Sequence, residues 1–392
     1  MPPVRLAALD LPLTPSTASI LRLPQAMIEG AMGEAAADAD PANKFMRLFH
    51  LLQALGQDAL ALDMQAKALR WRCLYRVAAP PAPAIRLLAL MGPGNMLDNT
   101  PLDFVVEGSD IRLDLLYVVP GQALPEVVPD HDLAIVALAE SDKNVPLLAR
   151  LEEVLSVWPR PVLNTPRRIL HCARDTAYGL LCDIPGLLVA RTQRLERARI
   201  GALPLPITVR PLDTHGGKGL MKIEAAADLD AYLSAHADPA FYVSDYIDYR
   251  SADGLFRKLR IALIDGRPYI CHLAIAEHWM VHYIAADMQE SALKRAEEAA
   301  TMQHFDQDFG ARHGAALRAI AEKLGLDYVI LDCGETRDGR LLLFEADTRG
   351  WIHAADPVDL FPYKPAIMQK AFDAFRAMLA RRMARPPGAP GA

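Results

Sequence analysis

Residues 325–350 read GLDYVILDCGETRDGRLLLFEADTRG, and this stretch decides how the rest of the sequence is interpreted. The apolar, β-branched run at 328–332 is typical of a buried strand, and residues 341–345 form a second apolar run. Between them, the sequence RDGR at 337–340 has the chemistry of a tight turn, in which glycine can adopt positive φ. The stretch therefore predicts a β-hairpin.

Three acidic residues lie at the outer ends of this predicted hairpin, with Asp332 on the first strand and Glu345 and Asp347 on the second. Glu345 and Asp347 are two residues apart, so their side chains leave the same face of an extended strand. Carboxylates that converge repel one another and lose hydration, so an oxygen-binding dication such as Mg²⁺ is their natural partner. A solvated hairpin with acids at its rim fits the same pattern, and both interpretations stay open at this point.

Length, composition, charge and cysteine spacing limit the classes of protein to which this chain can belong. A chain of 392 residues with 52% hydrophobic and 23% charged residues is typical of a globular protein of two or three domains. The formal charge of −6 argues against a nucleic-acid or anionic-membrane partner. The five cysteines form no CxxC pair, which favours a reducing compartment over a disulfide framework or a zinc site. With no bilayer-length apolar run and no signal-peptide pattern, we expect a cytoplasmic protein.

Four regions follow from the pattern along the chain. Residues 1–80 form an N-terminal region, weakly patterned over 1–41 and with the spacing of an αα-hairpin over 45–77, for which packing or docking is the expected role. Residues 84–170 alternate strands with a helix, which predicts a small parallel sheet. Residues 171–383 contain the decisive hairpin, and the tail at 384–392 is expected to be disordered.

The elements predicted within these regions are specific enough to be tested. In the second region we expect strands over 85–91, 112–119, 133–138 and 161–164 and a helix over 146–157. In the third region we expect strands over 205–210, 220–223, 241–247, 258–264 and 268–276. One helix expected there includes Leu180 and Leu181, and the others cover 191–199, 229–235, 291–323 and 366–383.

A glycine-rich loop, LDTHGGKG at 212–219, lies between the strands predicted at 205–210 and 220–223. A glycine-rich turn lets backbone N–H groups approach phosphates closely, and Lys218 and His215 can add charge and a hydrogen-bond donor. The loop is not a P-loop, because the GxxxxGK[ST] spacing is absent and no helix follows directly. An ordinary hairpin turn explains the loop equally well.

Two further groups of residues are candidates for a binding site. Arg260 lies in the middle of a predicted strand, either as an edge cation in water or as an inward anion-binding group. The stretch EHWMVHYIAADM at 277–288 concentrates imidazole and aromatic groups, which either contact a substrate or belong to the core. Those groups are His278, Trp279, His282 and Tyr283.

The order of these features resembles the ATP-grasp superfamily, and within it the glutathione synthetase and α-L-glutamate ligase branch. A glycine-rich β-turn comes first, followed by an acid-bearing strand, an arginine strand, and an Asp strand paired with an E-x-D strand. The resemblance covers residues 84–383 and implies an α/β (α+β) fold, with a parallel-sheet pre-ATP-grasp domain and an ATP-grasp domain of antiparallel sheets. The N-terminal helices lie outside it and are similar to a tetratricopeptide-like extension.

The resemblance implies roles for individual residues. Asp332 and Glu345 match the family's Mg²⁺ ligands, while Asp347 occupies the place of an Asn. Arg260 matches the arginine that contacts the γ-phosphate and the acyl intermediate. Arg349 is not part of the resemblance, but it follows the metal strand directly and its guanidinium suits a substrate carboxylate near the γ-phosphate. A structural pairing of Arg349 with Asp347 or Asp356 is the alternative. The remaining implied positions hold the nucleotide: Arg174 and Arg210 for phosphates; His215, Gly216, Gly217, Lys218 and Gly219 for the phosphate lid; and Asp245, Tyr246, Ile247 and Asp248 for adenine and ribose.

The implied function is an ATP-dependent ligase that joins a carboxylate to an amine through an acyl phosphate. Its cofactors would be ATP and Mg²⁺, with one or two ions and with Mn²⁺ able to substitute. Its partners would be small-molecule or peptide substrates, with peptide or protein docking through the N-terminal helices and a homo-oligomer both left open. Two alternatives remain: an ATP-grasp kinase acting on a hydroxyl, and a nucleotide-binding regulatory or scaffold protein with a degenerate site.

Overall fold

The computed structural model describes residues 4–77 and 80–384, so the predicted disorder of the tail falls almost entirely outside the described residues. The chain divides into two compact units. Unit 1 comprises Met1–Ile169, Thr348–Ala355 and Phe372–Ala392, and unit 2 comprises Leu170–Asp347 and Asp356–Ala371. In the described part of the chain, no helix combines the length and apolar character needed to cross a bilayer.

Unit 1 is built on a six-stranded sheet with helices along the chain between its strands. Its elements are β1 Arg5–Ala7, β2 Leu13–Thr14, α1 Thr17–Ile20, α2 Gln25–Ala37, α3 Pro41–Ala54, α4 Asp58–Leu69, β3 Leu74–Val77, β4 Ile85–Met91, α5 Leu102–Val106, β5 Ile111–Tyr117, β6 Val127–Pro129, β7 Leu133–Val136, α6 Val145–Leu155, β8 Val162–Leu163 and α7 Pro166–Ile169. The sheet order is β2-β3-β5-β4-β7-β8. Strands β5, β4, β7 and β8 pair in parallel, which confirms the predicted small parallel sheet.

The secondary structure predicted for the two ends of the N-terminal region needs correction. Residues 25–37, expected to be weakly patterned, form α2, which packs into a cluster with Ile20 and Leu51. The break at Gly56 between α3 and α4 is confirmed, and φ there is +70°. The helix predicted up to residue 77 is wrong beyond Leu69, because β3 pairs antiparallel with β5. The N-terminal region thus contributes strands to the sheet of unit 1.

Unit 2 contains two sheets that carry the decisive hairpin and the glycine-rich loop. Its elements are α8 Arg174–Leu181, β9 Leu187–Val189, β10 Thr192–Glu196, β11 Ile207–Pro211, β12 Met221–Ile223, α9 Ala226–Ala235, β13 Ala240–Asp245, β14 Phe256–Ile264, β15 Arg267–Ala276, α10 Ala292–Gln303, α11 Phe309–Leu324, β16 Tyr328–Glu335, β17 Leu341–Asp347 and the start of α12 Lys364–Met383. One sheet has the order β10-β13-β11-β12 and the other β15-β14-β16-β17-β9. Apart from the parallel β9 they are antiparallel, which confirms the α/β class with antiparallel sheets.

Two helix predictions in unit 2 need correction. Residues 192–196, within the predicted basic helix, form the edge strand β10, whose pairing with β13 outweighs the helix propensity of Arg, Leu and Glu. A short 3-10 helix, Arg197–Ala202, follows it. The long helix predicted over 291–323 is two helices, α10 and α11. Gly325 ends α11 in the left-handed conformation, at φ +64°.

Candidate functional site

A pocket of about 270 Å³ lies between the two sheets of unit 2. In the four-stranded sheet, successive side chains point to opposite faces. Arg210 and Ser244 line the pocket, while their neighbours Val209 and Val243 pack into a hydrophobic cluster on the other face. The pocket is larger than the ~150 Å³ apolar cavity that is known to hold benzene, so it can accept an organic ligand. Its apolar walls include Val189, Leu343 and Phe344.

A row of charged residues crosses the five-stranded sheet at the pocket. Arg260 on β14 is the direct cross-strand partner of Asp332 on β16, and Asp332 is the partner of Glu345 on β17. Directly opposed residues in a sheet point to the same face, and all three of these side chains line the pocket. Strand β14 is interior to its sheet, so Arg260 is an inward-facing group and not an edge cation.

Asp332 is held by two cations. Its carboxylate oxygens accept hydrogen bonds from Arg260 Nε at 2.8 Å and Nη2 at 3.0 Å, and from Lys258 Nζ at 3.0 Å. Burial alone would raise the pKa of Asp332, but Arg260 and Lys258 hold it well below its usual range. Asp332 is therefore ionised and fully paired in this state of the protein.

Glu345 has a different partner, the Arg174 guanidinium at the first turn of α8, with which it forms an ion pair. Burial and the nearby Asp332 charge raise the pKa of Glu345, but Arg174, Arg210 and His215 lower it and together outweigh them, so the pKa falls from 4.5 to about 2. Each acid in the row thus has its own arginine. A ligand that needs those arginines must replace the carboxylates as their partners.

The structure brings together a group of metal-ligating atoms that differs from the predicted one. Among the described residues, ligand atoms of His215, Glu345 and Asp347 all lie within 4.8 Å of one another. Glu345 and Asp347 were both expected in such a group, and His215 joins them there. Asp332 lies outside this group, and its oxygens bond Arg260 and Lys258. One imidazole nitrogen and two carboxylate oxygens are donors that fit a divalent cation.

The glycine-rich loop connects β11 to β12, as predicted, and forms one edge of the pocket. Gly216 and Gly217 line it and have φ of +62° and +78°, a region that favours glycine. Gly219 also has positive φ, whereas Lys218 is exposed and lies outside the pocket lining. At the base of the loop, the buried Arg210 donates to the backbone oxygen of Thr214 and, at 3.2 Å, to its Oγ1.

The predicted adenine and ribose segment reaches the pocket only in part. Asp245, the last residue of β13, lines it together with Tyr246 and Ile247, which follow the strand directly. Asp248, the predicted ribose ligand, lies outside the lining and accepts a hydrogen bond from the Arg250 backbone at 3.0 Å.

The predicted acceptor residues are divided in the same way. Trp279 and His282 line the pocket, while His278 is exposed and outside it. Tyr283 turns instead to a buried ionic network, in which its hydroxyl contacts Glu298 at 3.4 Å and bonds Lys364. Burial raises the pKa of Tyr283 far above its ordinary value.

Arg349 follows β17 closely in sequence and belongs to unit 1. It is buried, and its guanidinium donates to the Glu140 backbone oxygen at 2.6 Å. The sequence interpretation placed it at a substrate carboxylate, with Asp347 or Asp356 as a structural alternative. The contact with Glu140 is a structural one that neither interpretation foresaw.

Lys258 is a site residue that the sequence interpretation missed. It lines the pocket and bonds Asp332, the same carboxylate that Arg260 holds. Lys258 and Arg260 are two residues apart on one strand, so period-two alternation could have found it once Arg260 was singled out. The pairing of both cations with Asp332 could not be predicted, because the sequence does not show the register between β14 and β16.

Comparisons with known proteins give likeness of structure only. No family model matches the sequence, and no curated protein matches it. The structure is similar to that of D-alanine–D-alanine ligase from Bacillus anthracis complexed with ATP, with a TM-score of 0.46 and 14% identity over 77% of this chain and 100% of that chain. For VanG D-Ala:D-Ser ligase from Enterococcus faecalis the TM-score is 0.47, with 13% identity over 76% of this chain and 100% of that one. For the ATP-grasp ligase PsnB complexed with precursor peptide PsnA2 and AMPPNP, the TM-score is 0.41, with 16% identity over 77% and 100%.

Proposed function

We propose that the protein is an ATP-dependent ligase that joins a carboxylate to an amine through an acyl phosphate. The observation that carries this proposal is the charge arrangement of one pocket. Four cations line it together with Asp332 and Glu345, and those four are Arg174, Arg210, Lys258 and Arg260. Arginine and lysine that hold carboxylates can hold phosphates by the same hydrogen bonds. The order of motifs in the sequence, which resembles the ATP-grasp superfamily, supports the same reaction.

The reaction would proceed in two balanced steps. A substrate carboxylate oxygen attacks the γ-phosphorus of ATP, an acyl–O–P bond forms, the bond to the β-phosphate oxygen breaks, and ADP leaves. The amine nitrogen then attacks the acyl carbon, the C–N bond forms, the acyl C–O bond breaks, inorganic phosphate leaves, and the amine proton passes to that phosphate or to water. Arg260 and Lys258 would bind the transferring phosphoryl group, because charge accumulates on its oxygens. Neither step requires a nucleophilic side chain of the enzyme.

Divalent metal would be held by Glu345 and Asp347, whose oxygens are within reach of one another. When bound, it would offset phosphate charge and orient the oxygens. Arg174, which now pairs with Glu345, would be released toward phosphate when that carboxylate turns to the metal. Apolar pocket walls and the backbone of residues 245–247 would receive the base.

The experiment is to incubate the pure protein with ATP, Mg²⁺ and pooled acids and amines, and to search for a condensed product by mass spectrometry. Hydroxylamine in a parallel sample should convert the acyl phosphate to a hydroxamate. ADP formation with a hydroxamate supports the ligase. A phosphorylated hydroxyl product would indicate a kinase instead, and nucleotide binding without any product would indicate a regulatory protein.

Arg349 remains our candidate for the substrate carboxylate, because its guanidinium is suited to bidentate pairing. We expect Arg349→Ala to raise the apparent KM for the acid or the amine about tenfold while leaving the KM for ATP nearly unchanged. Circular dichroism of the variant would show whether loss of the contact with Glu140 has altered the fold. A loss of ATP affinity with substrate affinity intact would assign Arg349 to the nucleotide site.

A further inference from the structure

His215 occupies a position that its expected role as a phosphate donor does not explain. One of its ring nitrogens lies within 4.8 Å of carboxylate oxygens of both Glu345 and Asp347. His215 is on the loop between β11 and β12, whereas the two acids are on β17, in the other sheet of the unit. The three side chains thus come from a loop of one sheet and a strand of the other, and their donor atoms are close enough to bind one ion.

The donor set differs from the one that Mg²⁺ prefers. Mg²⁺ is a hard ion that selects oxygen ligands and keeps several waters, whereas imidazole suits transition ions. The buried Asp347 beside Glu345 does not alter this preference, because carboxylate oxygens suit Mg²⁺ and Mn²⁺ alike, and the imidazole is therefore the donor that discriminates between the ions. A site with one nitrogen and two anionic oxygens favours a divalent ion that accepts both kinds of donor.

We infer that His215 is a direct ligand of the divalent cation held by Glu345 and Asp347, and that this site prefers a transition ion such as Mn²⁺ or Co²⁺ to Mg²⁺. The inference deepens the proposed function, because it concerns the metal of that same site. The glycine-rich loop would then be held by the metal ion as well as by the phosphates of the nucleotide.

Metal binding would then close the loop. His215 precedes Gly216 and Gly217, whose positive φ lets the backbone rearrange at little steric cost. An ion bound to the strand carboxylates would fix His215 and, with it, the loop edge of the pocket. Arg174 competes for Glu345 in the absence of the ion, so binding exchanges one positive partner of that carboxylate for another.

The test uses the full-length protein with Mn²⁺ alone as the probe. Titration followed by electron paramagnetic resonance gives the Kd for Mn²⁺, and competition gives the Kd for Mg²⁺. We expect Mn²⁺ to bind at least about tenfold more tightly than Mg²⁺. Electron spin-echo modulation should show a directly coordinated imidazole ¹⁴N in the wild-type protein.

Two variants assign that signal. His215→Ala should remove the nitrogen modulation and weaken Mn²⁺ binding about tenfold while changing Mg²⁺ binding about threefold or less. His304→Ala is the matched control, because His304 is an exposed histidine whose ring bonds only the backbone oxygen of Ala300 among the contacts described for it, and it should keep the signal. Asp347→Asn should weaken both ions yet retain the nitrogen signal.

Several results would overturn the inference: no Mn²⁺ binding by the wild-type protein, a wild-type spectrum without nitrogen, or a nitrogen signal that survives His215→Ala. Hydrogen exchange adds an independent readout, because Mn²⁺ should protect amides 214–219 in the wild-type protein and not in His215→Ala. The proposed function is tested separately by titrating ATP with Mg²⁺. ATP binding without a nitrogen signal refutes the inference alone, and a nitrogen signal without ATP binding refutes the function alone.

Discussion

Asp332 shows how a buried acid remains ionised at the edge of a pocket. Its side chain is 9% exposed, and an unpaired charge at such a depth would cost several kcal/mol. Lys258 and Arg260 supply the compensation with three hydrogen bonds. The same cations are those that a polyphosphate would require. Residues that stabilise the sheet in this state therefore also provide the binding groups of the site.

Glu345 yields a pH prediction whose direction follows from its pKa. That pKa is lowered from 4.5 to about 2, so the pairing with Arg174 stabilises the fold fully above pH 4.5 and is lost as the pH falls toward 2. We expect Arg174→Met to lower the free energy of unfolding of unit 2 by about 2 kcal/mol at pH 7, after allowance for partial exposure of the pair. The difference from wild type should vanish near pH 2. Urea unfolding measured across this pH range tests both statements.

The control for that prediction is an ion pair on the surface. Lys323 bonds Asp183 at 2.6 Å, but the Asp183 side chain is 71% exposed. Asp183→Asn removes this ion pair and keeps the bond from Lys323 to the Leu180 backbone oxygen at 2.9 Å, so it should change stability little at any pH. If Arg174→Met behaved like Asp183→Asn, the pairing with Glu345 would not be what holds the carboxylate ionised.

At the scale of elements, the hairpin and the glycine-rich loop could be predicted because their turn residues and apolar runs are local signals. Strands β3 and β10 could not, because their identity comes from pairing with β5 and β13, which lie far away in sequence. The same limit applies to the site. The two-residue spacing of Glu345 and Asp347 predicts that they share one face of a strand. His215 comes from the loop of another sheet, so its place beside them could not be predicted from local spacing.

Gly219 allows the role of the loop to be tested through its backbone. It has φ of +66°, and a Cβ at this position would lie 2.8 Å from Pro211 Cδ, so Gly219→Ala would strain the base of the loop by about 1–2 kcal/mol or more. We expect ATP affinity to fall about tenfold, because the loop edge of the pocket moves. Isothermal titration with ATP and Mg²⁺ measures this change.

Gly339 provides the matched substitution. It has φ of +80° in the turn between β16 and β17, and a Cβ at this position would have no atom within 4 Å beyond those of its chain neighbours. Gly339→Ala should carry the same backbone strain without the clash and without an effect on ATP. Equal losses of ATP affinity in both variants would mean that strain in the fold, and not the loop, is being measured.

At the scale of the molecule, the N-terminal region falls within unit 1. Strands β2 and β3 extend its parallel sheet, and Arg76 on β3 forms an ion pair at 2.6 Å with the buried Asp114 on β5. A docking module that merely precedes a domain would leave the sheet intact when removed. Here its removal would expose the edge of β5 and leave Asp114 without this partner.

We therefore expect deletion of residues 1–80 to destabilise unit 1. The shortened chain should lose hydrogen-exchange protection in β4, β5 and β7, because a buried sheet would lose a neighbouring strand and the helices α2 to α4. Hydrogen exchange with peptide resolution in the full-length and shortened chains makes the comparison. Unchanged protection of those strands would show that the N-terminal region is an independent module after all.

The central claim, that the cations of the pocket in unit 2 bind ATP, is tested most directly by one titration of ATP with Mg²⁺ into three proteins. Arg260 faces the pocket, whereas Arg257, on the opposite face of β14, pairs with Asp253 and Glu297. We predict that the wild-type protein and Arg257→Met bind ATP alike and that Arg260→Met binds at least about tenfold more weakly. A wild-type protein that binds no ATP, or an Arg260→Met variant that binds it as tightly as wild type, would contradict the claim.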